Sequence, residues 1–172
     1  MAPTRQHKVV MPIWHRLSRV FLCLAGVILS LYALYVENMK EINNAYTALC
    51  DINEQVSCSK VFTSKYGRGF GIVGPILGED SPLNVPNSLF GILFYFLQFV
   101  LGQRHTVNAV WSLIIMSVLS LIGCVYLAYI LTFVLHDACV VCVTTYIVNI
   151  LLFIVNVLKL NVVKSIAVKK SK

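Results

Sequence analysis

Cys139-Val-Val-Cys142, followed by Tyr146, marks the point where the polar turn 136–138 gives way to a long apolar run. In a helix these three side chains have the spacing i, i+3, i+7 and lie on one face. The helix N-terminus favours the thiolate of the first cysteine, and two cysteines about one turn apart can form a disulfide. The pattern predicts a redox-active cysteine pair at the start of a helix that then enters a membrane.

The composition is that of an integral membrane protein with a single domain. Of 172 residues, 58% are hydrophobic and 12% are charged, whereas soluble domains are about 45–50% apolar and about 25% charged. The net charge of +7 does not indicate nucleic-acid binding, because the basic residues are distributed as membrane topology requires. The lipid bilayer is the partner that the composition implies.

Four apolar runs predict an all-α bundle of four transmembrane helices with a large loop between the first and second. The predicted spans are 13–36, 87–101, 109–135 and 139–160. The remaining segments are the tail 1–12, the loop 37–86, the turns 102–108 and 136–138, and the basic tail 161–172. The loop is too long to be a plain connector. Its first part could extend the first helix, and its apolar residues could form a lid over the bundle.

The charges orient these helices. All seven acidic residues lie in the 37–86 loop or the 136–138 turn, whereas the two tails and the 102–108 turn carry Lys and Arg without any acid. The positive-inside rule therefore places both tails and the 102–108 turn in the cytosol. Cys50, Cys58, Cys139 and Cys142 then share the opposite side, where disulfides persist.

Two cysteine pairs on one side of a membrane suggest an electron relay, because thiol–disulfide exchange lets one pair reduce the other. The loop pair, Cys50 and Cys58, is placed to meet a soluble partner. The pair Cys139 and Cys142 is placed to serve an apolar acceptor in the bilayer, such as a quinone. Two alternatives remain open: static disulfides, and a zinc site made from the four thiolates.

Tyr146 and Asn87 each have two interpretations. Tyr146 is either an ordinary interfacial aromatic residue or a hydroxyl that donates to a carbonyl oxygen in the bundle. Asn87 is either the N-cap of the second helix or an amide that donates to a ligand.

The remaining candidates have plainer explanations. His136 or Asp137 is expected to cap the fourth helix, with a pair of proton donors as the alternative. Cys23 and Cys124 are expected to be small apolar fillers. The glycine-rich stretch 67–71 lacks the Lys-Ser/Thr of a phosphate loop, so it is either a tight turn or a direct substrate contact.

Taken together, several motifs resemble the vitamin K epoxide reductase family, the reductase and its close paralogue. The resemblance runs from the first helix to the fourth and excludes the termini. The motifs are Ala48-Leu49-Cys50-Asp51, Ser57-Cys58-Ser59, Tyr66-Gly67-Arg68-Gly69-Phe70-Gly71, Asn87-Ser88-Leu89-Phe90-Gly91, Tyr126-Leu127-Ala128 and Cys139-Val-Val-Cys142-Val-Thr-Thr-Tyr146.

The resemblance implies a four-helix bundle in the endoplasmic reticulum membrane with a luminal active site. It implies reduction of vitamin K 2,3-epoxide to the quinone and of the quinone to the hydroquinone. By the match, Cys142 attacks the substrate, Cys139 resolves the adduct, Cys58 exchanges with Cys139, and Cys50 meets a luminal thioredoxin-like reductant.

The resemblance also implies a substrate pocket. Asn87 and Tyr146 match residues that hydrogen-bond the quinone oxygens, and the apolar wall is matched by Phe62, Phe90, Leu127 and Val141. The quinone is a substrate, so no tightly bound cofactor and no metal are expected. The same pocket should bind 4-hydroxycoumarin anticoagulants, although Tyr66, where the family usually has Trp, could change inhibitor affinity. Residues 169–172 resemble a cytosolic dilysine retrieval signal, with a basic juxtamembrane tail that binds anionic lipid as the alternative.

Two other functions compete with this one. In the first, the same cysteine relay would oxidise luminal dithiols and pass the electrons to a quinone. The direction of electron flow depends on the reduction potentials and on the supply of reductant and oxidant. A non-enzymatic membrane protein with stabilising disulfides is the third possibility.

Overall fold

The computed structural model describes residues 12–53 and 55–171, with side chains described up to residue 165. This part of the chain forms six helices: α1 (Ile13–Ile42), α2 (Cys58–Phe62), α3 (Val73–Leu77), α4 (Asn87–Gly102), α5 (Val107–Tyr129) and α6 (Val140–Ser171). A 3-10 turn precedes α3 at Gly69–Gly71, and a π-helical turn extends α5 at Ile130–Val134. The predicted tail 1–12, apart from Pro12, and the side chains of the 169–172 signal lie outside the described residues.

Three helical segments are long and apolar enough to cross a membrane: Ile13–Ile42, Val107–Val134 and Val140–Ser165. On α1, the side chains of Leu17, Phe21 and Ile28 are more than half exposed, as a lipid-facing surface requires. Helix α4 is apolar but has only 16 residues, so it is about 24 Å long against a hydrocarbon core of about 30 Å. The described ranges contain no strand, and the prediction of an all-helical membrane protein is confirmed.

Close helix packing depends on small residues. Helix α1 packs against α4 and α6, and α5 packs against α4 and α6. The Tyr95 ring of α4 lies where a side chain on Gly26 of α1 would be, and Ser30 of α1 occupies the same position over Gly91. Small residues let helices in a membrane approach closely enough for favourable van der Waals contact.

A buried polar network joins the four long helices. Arg19 Nη1 donates to Asn156 Oδ1 at 2.7 Å, and Asn156 Nδ2 donates to Gln98 Oε1 at 3.0 Å and to Ser117 Oγ at 2.8 Å. Gln98 Nε2 also donates to Ser117 Oγ at 3.0 Å. All four side chains are buried. Each such bond contributes on the order of 0.6 kcal/mol in a membrane bundle, so the network chiefly fixes how the helices face one another.

The segment between α1 and α4 folds back over the bundle. Helix α1 continues past residue 36 into this segment, as far as Ile42. Arg68 ties the segment to this extension, because its Nε lies 3.0 Å from Glu37 Oε1 and its Nη2 lies 2.8 Å from Glu41 Oε1. The segment therefore forms structure over one end of the bundle.

Two helix caps differ from prediction. Helix α4 follows Pro86 without a side-chain cap, because the Asn87 amide is bound to another part of the chain. Helix α6 begins after Cys139, whose Sγ accepts the N–H of Cys142 at 3.2 Å. Asp137 instead lies 4.0 Å from Lys60, and the turn at His136 has a left-handed backbone (φ 54°). The predictions that Asn87 caps α4 and that His136 or Asp137 caps α6 are wrong.

Replacing Gly26 with valine should destabilise the bundle, because the added side chain would overlap the buried ring of Tyr95. Overpacking of this kind costs about 1–3 kcal/mol. The thermal midpoint of the purified protein in detergent should fall. Gly123→Ala is the matched control, because no atom lies within 4 Å of the added carbon. An equal fall in both variants would show that the contact between α1 and α4 is not tight.

Candidate active site

Backbone pairing brings two cysteines from distant parts of the chain into contact. The Ser57 N–H donates to Ala138 O at 3.0 Å, and the Ala138 N–H donates to the carbonyl oxygen of residue 55 at 2.7 Å. Cys58 directly follows Ser57, and Cys139 directly follows Ala138, so the backbone pairing brings these two cysteines together. Cys58 and Cys139 are both fully buried, and their Sγ atoms lie 3.8 Å apart.

The four cysteines are in two redox states. Cys50 and Cys58 form a disulfide, whereas Cys139 and Cys142 are free thiols. Hydrogen bonds from the thiol and the backbone N–H of Cys142 lower the pKa of Cys139, although burial opposes this effect. Cys139, which directly precedes α6, therefore forms a thiolate more readily than an ordinary cysteine. Its sulfur faces the Cys50–Cys58 disulfide.

Asp51 holds the loop that carries the disulfide. Its Oδ1 accepts hydrogen bonds from Ser57 Oγ and from the Ser59 N–H, and its Oδ2 accepts from Ser59 Oγ and from the Ala48 N–H, all at 2.7–3.0 Å. Burial would raise the pKa of this carboxyl, but the hydrogen bonds, led by the Ser59 hydroxyl, lower the pKa of Asp51 to about 2. The ionised carboxylate fixes Cys50 and Cys58 relative to each other.

A cavity of about 420 Å³ opens beside Cys142. Its walls are predominantly apolar, with a few polar groups, as in sites that bind small apolar ligands. The structure places every pocket residue predicted from the sequence around it: Phe62, Asn87, Phe90, Leu127, Val141 and Tyr146. Cys50, Cys58 and Cys139 do not line the cavity. They lie behind Cys142, which connects the sulfur cluster to the cavity.

Phe70 covers one side of the cavity. Its N–H donates to Asn87 Oδ1 at 2.8 Å, and its carbonyl accepts from the Tyr126 hydroxyl at 3.2 Å. Asn87 Nδ2 donates to Tyr66 O at 2.7 Å, so one of its two N–H groups is used by the protein. Phe70 has a left-handed backbone (φ 57°) between two glycines with positive φ, a conformation that these contacts hold in place. The glycine-rich stretch therefore combines both interpretations, a tight turn and a cavity wall.

Tyr146 differs from Asn87, whose amide is hydrogen-bonded to the protein, in the availability of its polar group. Its hydroxyl has no hydrogen-bond partner among the described residues, and its ring lines the cavity one turn beyond Cys142. A ligand oxygen is a suitable partner for such a hydroxyl.

The cavity has polar wall residues that sequence reasoning missed. Ser88 Oγ is buried without a partner in the described structure and lines the cavity. Further along, Tyr95 Oη donates to Asn149 Oδ1 at 2.8 Å, and Asn149 Nδ2 lies 3.1 Å from Cys124 Sγ. Cys124 is thus a cavity wall residue. The only sequence signal for Asn149 is its spacing, since it lies on α6 seven residues after Cys142.

The described residues contain no group of three or more His, Cys, Asp or Glu side chains arranged to hold a metal. A disulfide, a cysteine pair within contact distance of it and an adjoining apolar cavity define a membrane thiol–disulfide oxidoreductase.

The chain belongs to the vitamin K epoxide reductase family, as its motifs predicted. A model of the "Vitamin K epoxide reductase family" matches residues 17–157. The chain is 52% identical over 134 residues to "Vitamin K epoxide reductase complex subunit 1" of Mus musculus, an alignment that covers 78% of this chain and 83% of the mouse protein. It is also 52% identical over 131 residues to the protein of the same name from Rattus norvegicus, covering 76% of this chain and 81% of the rat protein.

Replacing Asp51 with asparagine should loosen the disulfide loop at neutral pH. A carboxyl whose pKa is lowered in the folded state stabilises the protein above its unfolded pKa of about 3.9, and this contribution is lost as the pH falls through about 2. Allowing for solvent screening, the contribution is on the order of 1 kcal/mol. The difference in thermal midpoint between the wild type and Asp51→Asn should be constant from pH 7 to 5 and shrink below pH 4. The exposed Asp80→Asn should change nothing, and a difference that persisted at pH 2 would refute the role.

Proposed function

We propose that this protein reduces vitamin K 2,3-epoxide to the quinone, and the quinone to the hydroquinone, with electrons carried by its four cysteines. The observation that carries the proposal is the continuous sulfur path from the loop to the cavity. Cys58 Sγ lies 3.8 Å from Cys139 Sγ, and Cys142, one turn further along α6, lines the cavity. The name of the mouse and rat relatives supports the choice of substrate.

Electrons enter at the loop. The dithiol of a luminal thioredoxin-like partner attacks at Cys50, reduces the Cys50–Cys58 disulfide and leaves as its own disulfide. The Cys58 thiolate then attacks Cys139 of an oxidised Cys139–Cys142 pair and releases Cys142. Attack of Cys50 on Cys58 re-forms the loop disulfide and releases Cys139. The structure has the redox states expected after this exchange, with the loop pair oxidised and the helix pair reduced.

The reduced helix pair then acts on the substrate. The Cys139 thiolate, which receives a hydrogen bond from the Cys142 thiol, accepts the Cys142 proton as Cys142 attacks. With the epoxide, the Cys142 sulfur forms a C–S bond as one C–O bond of the epoxide breaks, and Cys139 passes its proton to the freed oxygen. The Cys139 thiolate then attacks the Cys142 sulfur, which forms the Cys139–Cys142 disulfide, breaks the C–S bond and expels hydroxide from the neighbouring carbon. With the quinone, the same attack breaks the C–S bond of the adduct and leaves the electron pair on the ring. With the epoxide the dithiol yields quinone and water, and with the quinone it yields hydroquinone, so each turnover consumes two electrons and two protons.

Tyr146 and Asn87 stabilise the negative charge that develops on the substrate oxygens. The Tyr146 hydroxyl is free to donate, and Asn87 retains one N–H beyond the bond to Tyr66 O. One oriented donor of this kind is worth about 3–4 kcal/mol to a transition state. Phe62, Phe90, Leu127 and Val141 enclose the apolar part of the ring system.

The topology completes the proposal. Helix α4 joins the three membrane-length helices as a fourth crossing, tilted little because it is short. Both termini lie in the cytosol and the disulfide loop in the lumen of the endoplasmic reticulum, in agreement with the distribution of Lys and Arg. The 4-hydroxycoumarins, which are planar and apolar with polar oxygens, bind the same cavity. Tyr66 packs over Gly71 at the edge of the Phe70 turn, so it alters inhibitor affinity through the position of Phe70.

Cys142→Ser and Cys139→Ser should each abolish epoxide reduction driven by dithiothreitol in membranes, because neither variant can close the helix disulfide. Cys50→Ser should retain turnover with dithiothreitol, a small reductant that reaches the helix pair directly, and lose it with a protein reductant. Formation of vitamin K quinone from the epoxide is the measurement. Full activity of Cys142→Ser would refute the relay. Oxidation of a partner dithiol without epoxide consumption would favour the reverse, disulfide-generating reaction.

Tyr146→Phe should lower kcat for epoxide reduction by about a hundredfold, because it removes one donor to the developing oxyanion and leaves the ring in place. The matched control is Tyr129→Phe, which changes an exposed tyrosine at the end of α5 that contacts Phe133 and should leave kcat unchanged. An unchanged kcat in Tyr146→Phe would assign the tyrosine to packing alone.

A further inference from the structure

Two buried cations lie at the end of the bundle opposite the active site. Arg19 is 3% exposed and Lys159 is 1% exposed. Arg19 passes over Gly102, the last residue of α4. Lys159 Nζ donates to Gly102 O and to Arg104 O, both at 2.6 Å. The pair therefore lies where α1, α6 and the turn after α4 meet.

No Asp or Glu side chain among the described residues pairs with these charges. The sequence has no Asp or Glu before Glu37, between Asp80 and Asp137, or after Asp137. Glu37 is on the same helix as Arg19, but it lies about five turns, or about 27 Å, further along. Buried charges in proteins are normally paired, because an unpaired charge in a medium of low dielectric constant is strongly unfavourable.

Arg19 also has an unsatisfied donor. Its Nη1 is bonded to Asn156, whereas Nη2 is buried without a hydrogen-bond partner in the described structure. Charge and hydrogen bonding therefore both point to an anion that the described residues do not supply.

An exposed basic rim surrounds the buried pair. Arg16, Arg104 and His105 are exposed. Partial burial, together with the charges of Lys159, Arg19 and Arg16, lowers the pKa of His105. The rim and the buried pair therefore act on one another electrostatically, and together they make one strongly positive region.

The membrane interface passes through this region. Both tryptophans of the chain, Trp14 and Trp111, lie at this end and are 55% and 44% exposed. Lys164 Nζ lies 5.0 Å from the centre of the Trp111 ring. Exposed tryptophans mark the headgroup level of a bilayer, and the lipid-facing side chain of Leu17 lies one turn or less from Trp14, Arg16 and Arg19 on α1.

We propose that Arg19 and Lys159, with the rim residues Arg16, Arg104 and His105, form a binding site for the phosphate group of an anionic phospholipid. The lipid belongs to the leaflet at the side of the chain termini. Arg19 Nη2 and the rim side chains contact the phosphate, and Lys159 adds positive potential that water screens only weakly. A lipid is favoured over a free phosphate because the apolar, exposed face of α1 adjoins the site and receives acyl chains.

The test is lipid selection by the purified full-length protein in nanodiscs containing equal amounts of phosphatidylserine and phosphatidylcholine. Native mass spectrometry of the released protein counts the lipids that it retains. The wild type should retain phosphatidylserine preferentially. Arg16→Gln and Arg104→Gln should each reduce this preference about fivefold, the value of one basic residue near an anionic headgroup. Both residues are exposed, so these variants fold even if Arg19→Gln does not.

Lys164→Gln is the matched control, because it removes an exposed charge at the same end that is held on Trp111. It should keep the preference. Absence of a preference in the wild type, or an equal loss in Lys164→Gln, would overturn the site and leave only the general attraction of basic residues for anionic membranes. If inorganic phosphate raises the thermal midpoint as much as phosphatidylserine does, the assignment to a lipid is wrong.

Discussion

The contact between Cys58 and Cys139 is the constraint on which the rest of the structure depends. The two residues are 81 positions apart, and each is the first residue beyond a short stretch of backbone pairing between the loop and the turn before α6. Two backbone hydrogen bonds and a carboxylate with four partners are sufficient to hold this register. Sulfur exchange requires an approach in line between three sulfur atoms, so a rigid junction matters more here than a strong one.

Two local conformations near the contact between Cys58 and Cys139 are unfavourable on their own. Helix α6 is capped by the sulfur of Cys139, where a serine or aspartate oxygen is usual. Sulfur is the weaker acceptor, but its use as the cap keeps a thiolate at the helix N-terminus. Phe70 takes a left-handed backbone that costs about 1–2 kcal/mol for a residue with a side chain. The hydrogen bond from the Phe70 N–H to Asn87 Oδ1 and the one from the Tyr126 hydroxyl to Phe70 O offset that cost and keep the Phe70 ring against Phe90. In both places local preference yields to the geometry of the site.

Sequence reasoning reached the parts of the molecule that repeat with helical period or match a family motif. Cys142 and Tyr146 line one cavity because four residues on a helix return to the same face, and the apolar wall came from the resemblance. Ser88, Asn149 and the network of Gln98, Ser117 and Asn156 were not predicted. A polar residue in an apolar run reveals its partner only when the rotation of both helices is known. The caps failed because the commonest cap residues were assumed, while tertiary pairing used Asn87 and the 136–138 turn for other contacts.

The two ends of the bundle differ in how their charged groups are paired. At the active-site end the described carboxylates of Asp51 and Glu37 have donors: Asp51 accepts four hydrogen bonds, and Glu37 is bonded to Arg68. At the other end Arg19 and Lys159 have no anionic side-chain partner in the described part of the chain, and their contacts there are amides and carbonyls. The carbonyls at the C-terminus of α4 offset part of the Lys159 charge, but these contacts do not neutralise both cations. A soluble protein would lose stability in this way, whereas a membrane protein can draw the missing charge from its solvent, because the lipid headgroups supply anions at that depth. On the proposal above, the bilayer is part of the fold, and the basic residues that predict the topology also prepare the lipid contact.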